Sequence, residues 1–267
     1  MGIKFFKKNI YDLSNPYPVT TVTDSVATDT GEDFTDLMRN RLDTSGWSTT
    51  DSSDSGNTTI EIDFIDTKEF SDVLILNHNL KSFTLKYWNG SAWTDFSTAI
   101  SETTNTLTSN HYSFTKVNTD KIQMIITGTQ TADDDKTIRQ LIFTESLGEF
   151  DCELYIKPVI TRSRQSTTFL SGKTFVSRSS GGFKCTLEAP SVFTDNDLTL
   201  VETIFDSYNG VLMWLSGGTT SQYETLRQAY RLQDIYLVTC SNEYEPEWNE
   251  GRYKNGMKVK MDLVEIN

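Results

Sequence analysis

The sequence predicts a mainly β protein: an N-terminal β-sandwich followed by a C-terminal β-rich domain with one covering helix. Three observations carry that expectation. Residues 59–88 hold three strand-like runs in close succession, Ser, Thr and Asn are abundant throughout, and only 195–208 has the caps and apolar spacing of a helix.

The first run, 59–64, sets Ile60, Ile62 and Phe64 against Glu61, Asp63 and Ile65, the period of two expected when one strand face is buried. In 73–77 the residues Val73, Leu74, Ile75 and Leu76 are all apolar, which predicts a mid-sheet strand covered on both faces. In 82–88, Phe83, Leu85 and Tyr87 alternate with Thr84, Lys86 and Trp88. Asn89-Gly90 follows and predicts a tight type I′ hairpin with both turn residues at positive φ. Runs at 121–127 and 138–143 add strands, so six or more fit a sandwich over 31–150.

In the second half, Thr194-Asp195-Asn196-Asp197 precedes Leu198, Leu200, Val201, Ile204 and Phe205. An N-capped amphipathic helix is expected to run to Tyr208, with Asn209-Gly210 as its stop. Strands are expected before it at 183–188 and after it at 211–215, 229–232, 235–239 and 258–264.

At 267 residues the chain exceeds a domain of roughly 100–200 residues, which suggests two domains and an arm: 1–30, 31–150 and 151–267. The arm holds Asn15-Pro16-Tyr17-Pro18, whose prolines favour extended backbone before them. Its aromatic start is costly in a solvated tail. Phe5 and Phe6 are therefore expected to pack on their own fold or a neighbour, and are candidate subunit contacts.

A formal net charge of −13 excludes a general basic field for nucleic acid or an anionic membrane. Residues 1–150 carry 12 Lys and Arg against 22 Asp and Glu, and 151–267 carry 12 against 15, in keeping with two different halves. No run approaches the roughly 20 apolar residues of a membrane span, and no apolar segment follows the basic start as a secretory signal requires. The expectation is a chain made and folded in a cytoplasm. Cys152, Cys185 and Cys240, odd in number and widely spaced, suit reduced, separately packed thiols.

Little in the sequence points to catalysis. His78 and His111 are the only histidines, and no phosphate loop is present, so no metal or cofactor is expected and the chain is read as non-enzymatic. Glu61 and Asp63 share a strand face and imitate a glycosidase pair, but a wet face explains them. Asp133-Asp134-Asp135 offers hard oxygens to calcium, with solvated loop acids the preferred reading. Lys157, Arg162, Arg164, Lys173, Arg178 and Lys184 form one basic island among Ser, Thr and Gly. It reads either as a solvated hairpin or as a subunit contact, with Arg162, Arg164, Lys173 and Arg178 meeting an acidic face of the next copy and setting register. Six scattered cations make no nucleic-acid motif.

The order of Trp47, a strand with an acid near its end, 73–77, 83–87, Trp93 and a late Ile138-Arg139-Gln140-Leu141 strand resembles the discoidin-like, galactose-binding-like jelly roll. The resemblance covers about 100 residues and includes no diagnostic catalytic motif. It implies ligand binding by loops at one end of the sandwich, with Trp47, His78, Asn79, Trp88 and Trp93 as the candidate platform. His78 also reads as a hydrogen-bonded structural histidine, and Trp88 with Trp93 as a cross-hairpin pair.

The helix followed by 211–215, 230–238 and 256–264 resembles small β-plus-helix domains of phage tail and baseplate proteins. That resemblance implies a structural virion component of a tail, baseplate or neck, or of a related injection apparatus. It would assemble in the host cytoplasm as a symmetric ring, in contact with copies of itself and other tail proteins. The alternative is a carbohydrate-binding host-adhesion module that recognises a surface glycan.

Overall fold

The computed structural model describes residues 3–10, 19–23, 46–49, 52–151, 154–168, 174–192, 194–207, 209–215, 235–245, 247–248 and 257–266. The strands in the first half of the chain are β1 (Lys4–Phe6), β2 (Val19–Thr23), β3 (Trp47–Ser48), β4 (Thr58–His78), β5 (Leu80–Trp88), β6 (Trp93–Glu102), β7 (Ser109–Thr129) and β8 (Thr137–Thr144). The second half adds β9 (Ser146–Glu149), β10 (Tyr155–Thr168), β11 (Thr174–Val192), helix α1 (Asp195–Asp206), β12 (Val211–Trp214), β13 (Ile235–Cys240), β14 (Glu247–Trp248) and β15 (Met257–Glu265). The fold class is the expected one, antiparallel sheets with a single helix among the described residues. Two compact units form: Lys7–Ser146, and Met1–Phe6 together with Leu147–Asn267.

In the unit Lys7–Ser146 the sheet order is β3-β8-β4-β7-β5-β6, with β2 paired to β4. The two expected runs 59–64 and 73–77 are one ladder. β4 continues through Asp66-Thr67-Lys68, which has no Gly or Pro to stop it, and absorbs the polar stretch in register shifts between Asp63 and Lys68 and between Phe70 and Asp72. Its second half lies between β7 and β8, and Val73, Leu74, Ile75 and Leu76 are all fully buried, so both faces of this stretch are covered as expected. Both halves of β4 contribute to one core. There Phe70 meets Phe143 at 5.2 Å and Phe114 at 5.8 Å, and Phe64 meets Phe143 at 5.8 Å. Each such buried side chain contributes roughly 1.5–3 kcal/mol over its exposed state.

The hairpin departs from type I′. Trp88 pairs with Trp93, which leaves a four-residue loop. Only Gly90 is at positive φ (94°), and Asn89 is not. Asn89 acts through its side chain instead: Oδ1 accepts from the Ser91 and Ala92 N–H groups, each at 3.0 Å, closing an Asx turn.

The second unit has the sheet order β10-β11-β15-β13-β12-β1-β9, with β14 on β15. Thr194 caps α1 by accepting from the Asp197 N–H at 3.0 Å, and Leu200, Val201 and Ile204 form the buried face. The helix ends at Asp206, two residues before the expected Tyr208. Gly210 follows at φ 83°, where a Cβ would lie 2.6 Å from Ile266 Cδ1 and 2.9 Å from Val238 O. The core is apolar, with Phe183 stacked on Tyr236 at 3.8 Å. The strand expected at 229–232 lies outside the described residues.

At the start of the chain, the aromatic residues pack on their own fold, the first of the two expected alternatives, and do not form a subunit contact. Phe5 and Phe6 are fully buried in β1, which pairs with β12 through Lys4↔Trp214, Phe5↔Met213 and Phe6↔Leu212. Alternation sends the two rings to opposite faces of a covered sheet, and Phe5 packs edge-on against Phe150 at 5.9 Å. They are interior residues of their own chain and are not surface for a subunit contact. Lys7 and Ile10 bond β8 through Glu145 O and Phe143 O. β2 joins β4, and the rest of the arm lies outside the described residues.

Candidate functional site

The five residues expected to form one platform fall into three places. Trp47 is 1% exposed, pairs with Ile138 and belongs to the core, because a two-residue strand beside β8 turns its indole inward. It is not a ligand surface.

His78 and Asn79 end β4 and begin the turn into β5. His78 is buried; its Nδ1 accepts from the Leu80 N–H at 3.1 Å, which leaves the proton on Nε2 to donate to Asn110 Oδ1 at 2.7 Å. Asn110 donates to Asn105 Oδ1 at 3.2 Å, and Asn105 donates to Leu80 O and Leu107 O. Burial disfavours the charged ring, only partly offset by the Asn110 bond, and lowers the His78 pKa to about 4. The ring is a neutral spacer in a satisfied amide network and is removed from the candidate platform. Asn79 uses both ends of its amide internally, donating to Asp135 O at 2.6 Å and accepting from the Thr137 N–H at 2.9 Å. Its role is to fix the turn.

The acidic loop beside this turn is also internally bonded. The Asp54 carboxylate accepts from the N–H groups of Thr129 and Asp133, and the Asp54 N–H donates to Asp133 Oδ1 at 3.1 Å. Among the described residues no group of three or more His, Cys, Asp or Glu is placed to hold a metal ion.

Trp88 and Trp93 stand at the other end of β5, nine residues from Asn79, a distance of roughly 30 Å at ~3.3 Å per strand residue. They are brought together. The rings lie 5.4 Å apart at 68°, in register across the hairpin, and both are half-buried. Period-two alternation places Trp88 on the face opposite Tyr87, whose ring packs on Phe96 of the core at 5.2 Å. The Thr119 hydroxyl donates to Trp88 O at 2.7 Å and holds the strand end. Polar groups surround the indoles: Asn89 Nδ2 donates to Thr94 Oγ1 at 2.9 Å, and Lys86 faces Asp95 at 3.4 Å, with the Asp95 side chain 60% exposed. The site combines flat apolar rings with amide, hydroxyl and carboxylate groups at a hairpin tip.

Glu61 and Asp63 are each held by a side chain of the neighbouring strand β7. Glu61 accepts from Gln123 Nε2 and Asp63 from Lys121 Nζ, both at 2.8 Å. The Asp63 carboxylate raises the Lys121 pKa by hydrogen bonding and charge. Burial raises the Cys185 thiol to about 12 and the Cys240 thiol to about 11, as packed structural thiols require, while Cys152 lies outside the described residues.

In the second unit an open polar cleft of about 370 Å³ is lined by Asn242, Glu243, Glu245, Lys260 and Asp262. The sequence held no signal for it, since its two sides come from segments some 18 residues apart joined only by pairing: Asn242 bridges Lys260 O and the Asp262 N–H. Of the basic island, Lys157 binds Glu188 at 2.7 Å, Lys184 is exposed, Arg162, Arg164 and Arg178 are in β10 and β11, and Lys173 lies outside the described residues. No described helix is long and apolar enough to cross a membrane.

No family model matches the sequence, and no curated protein matches it. Among solved structures, the chain is similar to a protein described as an alpha-L-fucosidase of Bacteroides thetaiotaomicron, at 12% identity and TM-score 0.42, over 52% of this chain and 30% of that one. It is similar to chitosan-binding module 1 of a chitosanase/glucanase from Paenibacillus sp. IK-5, at 14% identity and TM-score 0.40, over 48% and 93%. A third likeness is to a family 32 carbohydrate-binding module from Clostridium perfringens in complex with galactose, at 12% identity and TM-score 0.39, over 48% and 93%. The chain thus spans under a third of the fucosidase's length, and at these identities and TM-scores none of the likenesses assigns a function.

Proposed function

We propose that the chain is a non-catalytic glycan-binding protein whose recognition element is the hairpin carrying Trp88 and Trp93. The observation that carries this reading is the pairing of two half-buried indoles at the tip of a sandwich whose core is already complete without them. Large aromatic surfaces left at a wet edge suit a partner that is apolar on one face and hydroxylated around its rim. Asn89, Thr94 and Asp95 supply hydrogen-bonding groups for such hydroxyls.

The test is a glycan array with the full-length protein, followed by calorimetric titration of each hit against Trp88→Ala and Trp93→Ala. The expected result is saturable binding that falls at least roughly tenfold in either variant while the thermal transition is kept, tenfold being ~1.4 kcal/mol. An array with no response from the wild type refutes the reading.

A ring-forming component of a phage tail is the second reading, and one observation favours it. The ribbon made by β10 and β11 runs past the sheet that holds its base, a form suited to reaching a neighbouring molecule. This reading predicts a symmetric oligomer and density for the chain in purified particles, and a strictly monomeric protein absent from particles ends it.

A further inference from the structure

The register of β5 on β6 fixes which side chains stand beside the two indoles. Trp88 pairs with Trp93 and Lys86 with Asp95, and residues two apart on a strand share a face, so all four stand on one face of the sheet. The neighbouring strands continue that face. Lys86 pairs with Gln123 of β7, Lys121 lies two residues from Gln123, and β4 places Glu61 opposite Gln123 and Asp63 opposite Lys121.

The charges around the indoles do not balance. Asp63 holds Lys121 at 2.8 Å, and Asp120 and Glu61 also act on its charge. Lys86 comes within 3.4 Å of Asp95, the looser of the two pairs, and the Asp95 side chain is 60% exposed. Two lysines therefore meet four carboxylates, and Asp95 is the one two residues from Trp93. Such a face repels an anionic sugar. From Asp95 a neutral sugar gains ordinary hydrogen bonds, whereas a protonated amine gains a charge-assisted bond, roughly twice as strong as a neutral one. The indole faces add to the same preference, because Trp is the best aromatic partner for a cation. Carboxylate and rings thus select one chemical group by two separate effects.

We propose that Asp95, together with the Trp88 and Trp93 rings, takes the ammonium group of an amino sugar, so that the hairpin prefers a glycan with free amines to its N-acetylated or acidic counterparts. The inference rests on the glycan-binding reading and names the ligand class of that site.

The experiment is calorimetric titration of the full chain with soluble oligomers of β-linked glucosamine, of N-acetylglucosamine and of galacturonate. The proteins are the wild type, D95N, and D134N/D135N, which removes exposed charges at the other end of the sandwich, beside Asn79. The wild type is expected to bind the glucosamine oligomer at least roughly fivefold more tightly than either of the others, by a margin that shrinks as salt rises. D95N should bring the ratio of glucosamine to N-acetylglucosamine affinity within about twofold of unity, and D134N/D135N should keep the wild-type ratio. Wild-type binding of the N-acetylated or acidic oligomer that equals or exceeds binding of the amine overturns the ammonium assignment while glycan recognition stands. A preference that D95N leaves intact, or that D134N/D135N lowers as much, traces to the chain's net charge and overturns the role of Asp95. If none of the oligomers binds, the inference falls and the glycan array alone decides the wider reading.

Discussion

His78 makes the stability of the Lys7–Ser146 unit depend on pH in a range where carboxylates contribute little. Its ring has an ordinary pKa of 6.5 when solvated and about 4 when folded, because burial penalises the cation. Between those values the unfolded chain binds the proton and the folded chain does not. Stability from this group is therefore complete above about pH 6.5 and is lost as pH falls toward 4. Working the linkage from pH 7 to pH 4.5 gives a loss of about 2.5 kcal/mol, at ~1.4 kcal/mol per pH unit across most of that interval. Urea unfolding of the full chain at closely spaced pH values, followed by tryptophan fluorescence, should show this slope. His78→Gln should remove it, at a cost of roughly 1–3 kcal/mol at pH 7 for the broken link to Asn110 and Leu80. Asp72 does not confound the window. Burial pushes its carboxyl up, but bonds from His111, Ser71 and the Ser146 N–H together hold it below the ordinary value, so its contribution disappears only at lower pH. A slope between pH 5 and 6.5 that is the same in wild type and His78→Gln, or an NMR titration of the His78 ring near 6.5, would refute the reasoning.

Two further substitutions test the second unit. Gly210→Ala places a Cβ at positive φ against Ile266 and the Val238 carbonyl, and should lower stability by about 2 kcal/mol or more, read as a fall in the second unit's thermal transition. Phe5→Ala removes a fully buried ring from β1 and should cost roughly 3–5 kcal/mol. A change within ~0.5 kcal/mol would mean that β1 is dispensable to its sheet.

Periodicity made much of the architecture legible, and it failed where pairing partners are remote. The apolar run Val73–Leu76 could be placed mid-sheet because no residue in it tolerates a wet face, and Thr194 with Gly210 marked both ends of the helix region through local chemistry alone. β1 was not legible. Three residues carry no period, and the strand that covers them, β12, lies some two hundred residues away. β4 read as two strands because register shifts let a ladder cross a polar stretch that resembles a loop.

The five platform candidates separate in space for a related reason. Asn79 and Trp88 are close in sequence, but an extended chain converts nine residues into opposite ends of a sandwich. His78 was half legible. Its place at a strand end pointed to a structural role, while the Asn105 and Asn110 amides that complete that role become adjacent only when β7 returns beside β4.

The energetics of the hairpin bear on the proposed recognition. A cross-strand pair is worth about 0.2–1 kcal/mol relative to alanine, and β-branched or other aromatic partners supply the same range. Folding alone therefore gives little reason for two indoles at a position where both remain partly in water and Phe96, Phe114 and Phe70 already close the core beneath. The same small number makes Trp88→Ala and Trp93→Ala informative, because a variant that loses at most about 1 kcal/mol of stability stays folded at room temperature. A loss of glycan affinity in such a variant then reports the ring face itself, and unchanged affinity moves recognition away from this hairpin.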